Sequence, residues 1–247
     1  KDILKNIVLD KYFNQRILAE NNRCSLGLVN KSIKNLISEG YLDENMKGTL
    51  KAKELLESCK PKNAIILAAG FGMRMVPINM ETPKALLEVN KEVIIERIIR
   101  QLHEVGIMEI TVVVGFMKEK FEYLIDEYDV NLVINLEYAS KNNLHSLNLV
   151  ADYIEETYII SGDVWCKKNP FSSNELYSWY MVGSSLNTES DVKINRKKEL
   201  VLITDEEPGN HMLGIAYVRK KEAEIIRKKI GEMCKKKFFD NSFWEEC

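Results

Sequence analysis

The amino-acid sequence predicts an α/β protein with three layers, in which helices cover both faces of a mainly parallel β-sheet. Two observations support this prediction. From Asn63 onward, nearly continuous apolar strand patterns alternate with helical patterns. Before that point the pattern is one of short helices, and residues 60–62 interrupt it with proline and charge. We therefore predict a small helical domain over residues 1–60 and an α/β domain over residues 61–247.

The composition is that of an ordinary globular protein. The 247-residue chain has 45% hydrophobic and 29% charged residues and a net charge of -2, which does not by itself indicate nucleic acid or a membrane as partner. No apolar stretch approaches the roughly 20 residues that cross a bilayer. The 5 cysteines are odd in number and lack CxxC spacing, so we expect neither disulfides nor a zinc site. A reducing cytoplasm is therefore the expected location.

One helix defines the first domain. Ser25 is a good N-cap, apolar residues recur on one face of residues 26–37, and Gly40 follows as a stop signal. The opposite face and the turn that follows carry three lysines: Lys31, Lys34 and Lys47. The stretch 14–42 resembles the winged helix-turn-helix family, which implies DNA as a possible partner. Packing against the second domain is the alternative use of that face.

In the second domain, strands and helices alternate. The predicted strands are residues 64–69, 109–114, 131–136, 157–161 and 212–218, and the predicted helices are residues 93–105, 118–127, 144–153 and 222–233. Residues 191–195 and 199–204 instead have the pattern of an antiparallel hairpin. Because ligands of open α/β sheets bind at the carboxyl ends of strands, the loop after the first strand is the expected site.

That loop is rich in glycine and carries basic side chains. Gly70 and Gly72 allow backbone N–H groups to approach a polyphosphate, and Arg74 can donate to its oxygens in a fixed fork. Lys84 follows Pro83, which restricts the backbone. An arginine and a lysine that converge on one pocket suit a pyrophosphate leaving group. The loop does not match a dinucleotide-binding fingerprint, because the third glycine is absent. It does not match a Walker A loop either, because the Gly-Lys-Ser/Thr sequence is absent.

Residues 63–217 resemble the nucleoside-triphosphate transferase family, which includes sugar-phosphate nucleotidyltransferases and CTP:phosphocholine cytidylyltransferases. The matching residues are Leu67, Ala68, Ala69, Gly70, Gly72, Arg74, Pro83 and Lys84. The resemblance implies the Rossmann-like fold of nucleotide-diphospho-sugar transferases and dependence on Mg²⁺. It also implies that the loop from Leu67 to Gly72, which includes Phe71, holds the nucleotide. Arg74 and Lys84 are then catalytic residues that neutralise the phosphates of the nucleotide.

A second segment carries an acidic residue. Residues 158–165, YIISGDVW, form an apolar strand that delivers Asp163 to the carboxyl edge of the sheet. A carboxylate there can ligate Mg²⁺ together with phosphate oxygens, although an aspartate after glycine is more often a turn residue. The family resemblance aligns Asp163 with a catalytic, magnesium-binding aspartate. The second metal ligand of the family has no assigned counterpart.

Two further segments concern the base and the acceptor. Residues 135–146 resemble the cytidylyltransferase branch, which favours nucleotide contacts for Asn142, Asn143 and Ser146, while helix capping is the alternative, most of all for Asn143. Aromatic faces bind quaternary ammonium ions. By resemblance to choline-specific relatives, the candidate acceptor-binding residues are Trp179, Tyr217 and Trp165, although ordinary packing also explains such residues.

These features together predict transfer of a cytidylyl group from CTP to phosphocholine. Another acceptor, such as a sugar 1-phosphate or a different phospho-alcohol, is the alternative within the same reaction class. A DNA-binding regulator whose second domain senses a nucleotide is the alternative from another class. The domain order resembles an architecture in which a choline kinase domain follows, and the kinase part is absent from this sequence. We expect the α/β domain to be incomplete at its C-terminus, as in a fragment of a longer chain.

Overall fold

The computed structural model of the 247-residue chain describes residues 2–9, 14–72, 81–188, 190, 192–195, 199–203 and 207–247. These residues form two compact units. Unit 1 comprises Lys1–Pro61 and Ser172–Leu176, and unit 2 comprises Lys62–Phe171 and Tyr177–Cys247. The break near residue 61 lies where proline and charge interrupt the sequence pattern. Nothing in the sequence pattern indicated that Ser172–Leu176 belongs to unit 1.

The described residues of unit 1 form four helices: α1 (Asp2–Leu9), α2 (Gln15–Asn21), α3 (Leu26–Ser38) and α4 (Leu50–Glu57). The α3 helix begins as predicted, because the Ser25 hydroxyl accepts a hydrogen bond from the Leu28 amide at 3.2 Å. Gly40, with φ +77°, turns the chain after α3. A single antiparallel bridge then joins Leu42 and Gly48. The winged helix-turn-helix resemblance of residues 14–42 stays a prediction.

Unit 2 alternates strands and helices. In chain order these are β1 (Asn63–Ala68), β2 (Glu88–Val89), β3 (Glu92–Val93), α5 (Ile94–Glu104), β4 (Glu109–Val114), α6 (Tyr123–Tyr128), β5 (Asn131–Ile134), α7 (Asn143–Asn148), β6 (Thr157–Ser161), β7 (Trp179–Asn187), β8 (Val192–Ile194), β9 (Leu200–Leu202), β10 (Gly209–Val218) and α8 (Lys220–Met233). Within the described part of the chain, no helix has both the length and the apolar character needed to cross a membrane.

The main sheet has the strand order β5-β4-β1-β6-β10-β7. The first four strands are parallel, which confirms the predicted class. β10 runs antiparallel to β6, and β7 runs antiparallel to β10. β8 and β9 form the predicted hairpin. Because the carboxyl ends of β1, β4, β5 and β6 share one edge, the loops that follow them meet there.

Both faces of the sheet are buried. Alternate residues of β1 point to opposite sides: Ala64 and Ile66 join one core with α5 and α6, and Ile65 and Leu67 join another with α7 and α8. This arrangement is the predicted three-layer α/β/α architecture. Two helices are shorter than the sequence predicts. Residues 144–153 split into α7 and a 3₁₀ turn, since Val150, with φ -122°, leaves the helix with its side chain in the core. Residues 118–127 begin as a 3₁₀ turn.

Candidate active site

The candidate site lies at the carboxyl edge of the parallel strands. Two backbone hydrogen bonds hold the loops together there. The Gly162 amide, after β6, donates to the Leu67 carbonyl of β1 at 2.9 Å, and the Phe116 amide, after β4, donates to the Ala69 carbonyl at 3.2 Å. A Cβ on Gly162 would approach the Leu67 carbonyl to 3.1 Å, so glycine permits the close packing of the β1 and β6 ends.

The glycine loop after β1 runs directly beside a lysine side chain. Gly72 has φ +69°, a conformation that other residues rarely adopt. A Cβ at Gly72 would lie 2.5 Å from Cε of Lys84, so the absence of a side chain lets Lys84 cross the loop. Arg74, the other predicted phosphate ligand, lies outside the described residues.

Lys84 and Asp163 face each other. Lys84 starts a 3₁₀ turn after Pro83, whose φ is -53°, and the neighbouring Ala85 is buried. The Lys84 Nζ lies 3.7 Å from Oδ2 of Asp163, and the two side chains are 26% and 48% exposed. A cation and a carboxylate that are both reachable from solvent can each bind a ligand of opposite charge. The structure therefore brings together two of the three predicted catalytic residues.

Two adjoining cavities open at this edge. The larger, of about 750 Å³, is lined by Leu67, Ala69, Gly70, Phe71, Gly72, Lys84, Phe116, Tyr138, Ala139, Ser140, Lys141, Asn142, Asn143, Ser146, Asn241 and Phe243. The smaller, of about 220 Å³, is lined by Leu67, Ala68, Gly70, Gly72, Lys84, Ala85, Asn143, Ser161, Gly162, Asp163 and Phe243. Every residue that the sequence predicts to bind the nucleotide lines one or both cavities.

The two asparagines that open α7 line the larger cavity but also have structural partners. The Asn142 side chain accepts a hydrogen bond from the Asn143 amide at 2.8 Å and donates to the Asn241 carbonyl at 3.0 Å. The Asn143 Oδ1 accepts from the Trp244 amide at 2.9 Å. Capping and cross-linking are therefore present at both positions, and nucleotide contact by these residues stays a prediction.

Ser146 is placed differently. It is buried, and its hydroxyl accepts a hydrogen bond from Nδ2 of Asn135 at 3.0 Å. Asn135 directly follows β5, and its amide donates to the Val114 carbonyl at 2.8 Å, so the ends of β4 and β5 fix its position. Because Asn135 supplies a donor to Ser146, the Ser146 hydroxyl proton can be donated to a base in the cavity.

The structure corrects the prediction for the acceptor-binding residues. Tyr217 is 0% exposed, and its hydroxyl donates to Glu156 at 2.6 Å. Tyr217 pairs with Tyr158 near the start of β6, whereas Asp163 follows the end of that strand. The prediction that Tyr217 binds the acceptor is therefore wrong. Trp179 pairs with Tyr217, and its ring lies 6.0 Å from that of Tyr158, so it too lies away from the site.

Trp165 lies nearer in sequence to Asp163 but has other contacts. Its ring is covered by the guanidinium group of Arg97, at 4.9 Å from the ring centroid. Arg97 in turn donates to the carbonyl groups of Cys166 and Lys167 at 2.8 and 2.7 Å. Among the residues that the structure describes, Trp165 lines neither cavity. All three aromatic residues therefore have packing contacts, which the sequence left as an alternative, and acceptor contact by the partly buried Trp165 and Trp179 stays a prediction.

Several residues that line the cavities were not predicted from the sequence. Phe116 and Tyr138 form an aromatic row with Phe71, with centroid distances of 4.5 and 6.4 Å between neighbours. Phe116 lies just after β4, so the carboxyl-end rule applied to every strand would have found it. Asn241 and Phe243 come from a segment about 100 residues from α7, and no local pattern signals their position.

Comparison with known proteins agrees with this geometry. Residues 64–165 match the model of the MobA-like NTP transferase domain. A choline-phosphate cytidylyltransferase of Streptococcus pneumoniae is 35% identical over 185 residues, which are 74% of this chain and 81% of that protein. The chain belongs to the choline-phosphate cytidylyltransferase family. It is a nucleotidyltransferase.

One solved structure and one further sequence relative are also similar to this chain. The structure of the CTP:phosphocholine cytidylyltransferase from Streptococcus pneumoniae superposes with a TM-score of 0.69 at 32% identity, covering 75% of this chain and 83% of that one. A 2-aminoethylphosphonate cytidylyltransferase of Lancefieldella rimae is 46% identical over 105 residues, 41% of this chain and 43% of that protein. The last match spans less than half of either protein.

Membership of this family implies a divalent metal, and the site fits one. Asp163 offers a hard carboxylate at the smaller cavity, beside the Lys84 ammonium group. No group of three or more histidine, cysteine, aspartate or glutamate side chains converges within the described residues. A single carboxylate suits an ion that takes most of its ligands from substrate phosphates and water, as Mg²⁺ does. The prediction that Asp163 holds the metal is compatible with this geometry and stays a prediction.

Proposed function

We propose that the protein transfers a cytidylyl group from CTP to phosphocholine and releases pyrophosphate. The observation that supports this function is that Lys84 lies at the junction between the two cavities and faces Asp163, which lines the smaller one. Six residues line both cavities and so mark that junction: Leu67, Gly70, Gly72, Lys84, Asn143 and Phe243. A phosphoryl group passing between two substrates has to lie where their sites meet.

At this junction the reaction needs no covalent nucleophile. A phosphate oxygen of the acceptor forms a bond to the α-phosphorus of CTP, and the bond from that phosphorus to the bridging oxygen breaks. The electron pair leaves with pyrophosphate. Catalysis of such a step rests on positioning and on charge neutralisation. The Lys84 ammonium group lies where it can stabilise the negative charge that moves onto pyrophosphate.

We propose Mg²⁺ as the metal, with Asp163 as its protein ligand. When bound, the ion would neutralise phosphate oxygens and favour their in-line arrangement. Arg74 is proposed as a second cation for the leaving group, on the basis of its place in the LAAGxGxR motif. Ser146, as a hydroxyl donor in the larger cavity, is proposed to bind an acceptor atom of the cytosine ring, with Asn142 beside it.

The test is a pyrophosphate-release assay with CTP and phosphocholine. We expect Lys84→Ala and Asp163→Ala to lower kcat by at least about 100-fold, since each removes a charge from the reacting phosphates. Lys221→Ala and Glu224→Ala, on the exposed face of α8, change charge equally and should retain parental kcat. Parental turnover in either Lys84→Ala or Asp163→Ala would refute the proposed roles.

The acceptor is the less constrained half of the reaction. The predicted aromatic residues lie away from the junction, so phosphocholine as acceptor rests on the relatives. The similarity to a 2-aminoethylphosphonate cytidylyltransferase makes an aminoalkyl phosphonate the second candidate. The same assay with phosphocholine, 2-aminoethylphosphonate and a sugar 1-phosphate ranks them by kcat/KM. A preference for either rival would correct the acceptor and leave cytidylyl transfer in place.

A further inference from the structure

A segment near residue 243 contributes to both cavities. After α8, the chain passes through 3₁₀ turns at Lys237–Phe239 and Trp244–Glu246. Between these turns, Asn241 lines the larger cavity and Phe243 lines both. The Phe243 side chain is 51% exposed. Half of a large apolar ring is thus accessible where the two cavities meet, so a ligand bound there can cover it.

Residues at the start of α7 bind the backbone of this segment. The Asn142 amide donates to the Asp240 carbonyl at 2.8 Å, and the Asn142 side chain donates to the Asn241 carbonyl at 3.0 Å. The Trp244 amide donates to Oδ1 of Asn143 at 2.9 Å. These three hydrogen bonds bracket Phe243 on both sides. The residues that sequence resemblance assigns to the nucleotide therefore also hold a wall of its cleft.

A buried carboxyl completes the attachment. The Tyr180 hydroxyl donates to Oε1 of Glu245 at 3.1 Å and accepts from the Gly214 amide at 3.0 Å. Burial raises the pKa of Glu245, and hydrogen bonds from Tyr180 and Asn143 oppose that rise. The Trp244 ring is buried against Tyr180, at 5.9 Å between centroids. Through Tyr180, Glu245 thus links the segment to β7 and β10, while the Trp244 amide links it to α7.

We propose that residues 240–245 form a fixed wall of the nucleotide cleft, and that Glu245 is the positioning residue that keeps Phe243 at the cavity junction, against the bound nucleotide. Glu245 acts through other groups, because it lines neither cavity within the described residues. Carboxyl groups are costly to bury, and an apolar residue of similar size would anchor a merely structural turn at lower cost. The proposal rests on the proposed function only for the choice of nucleotide.

The test compares CTP binding with turnover in the full chain. Calorimetric titration with CTP and Mg²⁺ gives Kd, and the transfer assay gives KM and kcat. We expect Phe243→Ala to raise Kd and KM for CTP on the order of tenfold, with an unchanged Tm because the ring is half-exposed. Phe238→Ala is the matched control, since that ring is 87% exposed and lines neither described cavity.

Glu245 is tested with a pair of variants. Glu245→Ala removes the link and should raise Kd for CTP as Phe243→Ala does. Glu245→Gln keeps a carbonyl oxygen for the Tyr180 hydroxyl and should return Kd to within about twofold of the parent. The proposal fails if Phe243→Ala binds CTP normally, or if Glu245→Ala lowers Tm without weakening binding. Titrating the parent with all four ribonucleoside triphosphates separates the identity of the nucleotide from the role of residues 240–245. A preference for a nucleotide other than CTP would correct the proposed function. The variants would then be tested with the preferred nucleotide.

Discussion

At the scale of single residues, the glycine loop gives a sharp prediction. Gly72 has φ +69°, and a methyl group there would lie 2.5 Å from Cε of Lys84. The flexible lysine is the group that can move, so we expect Gly72→Ala to displace Lys84 and lower kcat at least tenfold. The strained backbone should also cost about 1 kcal/mol of stability. Steady-state kinetics and thermal unfolding measure the two effects.

Gly70 is the matched control for that prediction. A Cβ at Gly70 would meet nothing within 4 Å, and its φ is not positive. Gly70→Ala should therefore leave Tm of the free protein unchanged. If nucleotide phosphates approach the backbone there, the same variant should bind CTP more weakly. Equal loss of Tm in both variants would contradict the assigned geometry of the loop.

A buried histidine gives a prediction for pH dependence. His145, on α7, lies 3.4 Å from Asp240. Burial lowers its pKa from 6.5, as does Lys141, while Asp240 and Glu137 act in the opposite direction. The folded state therefore keeps the ring neutral where the unfolded state takes up a proton. Stability is present above about pH 6.5 and is lost as the pH falls below that value.

Thermal unfolding between pH 7.5 and pH 5 measures this contribution. We expect His145→Gln, whose side chain does not titrate, to lose less stability over that interval than the parent loses. The comparison of slopes isolates one residue from the carboxyl groups that titrate at lower pH. Identical slopes in the two proteins would show that His145 does not carry the effect.

The sequence identified some site residues for a clear physical reason. Asp163 closely follows β6, at the edge of the sheet where the fold class places ligands. Lys84 lies farther from β1, in a 3₁₀ turn, and was predicted from its Pro-Lys motif. Phe243 and Glu245 reach the site through hydrogen bonds to α7 and β7, and such long-range contacts leave no periodic or local signal. Tyr217 was misassigned because its aromatic character suits a cation site and a core equally well, and burial decides between them.

At the scale of elements, strand register explains why Trp179 lies away from the candidate site. β7 pairs with β10 so that Trp179 lies opposite Tyr217, far along the strands from the carboxyl edge. The sequence predicted most strands because their apolar runs are nearly continuous. It could not predict the antiparallel β7–β10 pairing or its register shifts, since these depend on which strands become neighbours.

The register leads to a prediction for Trp179. The ring packs edge-on against Tyr158 in the core, so Trp179→Leu should cost about 2 kcal/mol of stability. Its position predicts an unchanged KM for phosphocholine. Denaturant unfolding and acceptor titration measure the two quantities, with Phe238→Leu as the exposed control. A several-fold rise in the acceptor KM with unchanged stability would restore Trp179 to the acceptor site.

At the scale of the whole molecule, unit 1 is not one continuous stretch of chain. Nδ2 of Asn174 donates to the Leu56 carbonyl at 2.6 Å, and the Glu175 amide donates to the Cys59 carbonyl at 2.8 Å. Leu176 packs with Leu56 and Cys59 in a small buried cluster. A fragment that ends near residue 61 lacks these contacts. Experiments on unit 1 therefore require the full chain.

DNA binding by unit 1 remains a prediction, and the full chain is the form in which to test it. Lys31, Lys34 and Lys47 are all exposed, on α3 and in the turn after it. If they contact phosphates, replacing all three with alanine should weaken binding to a mixed-sequence duplex and reduce the salt slope of log K by about 3. The triple variant of Lys5, Lys53 and Lys60 makes the same change in charge elsewhere in unit 1 and should bind like the parent. Equal weakening by both triple variants would indicate attraction by net charge alone, because a docked α3 contacts phosphates through particular lysines. No binding by the parent at low salt would exclude the DNA-binding regulator.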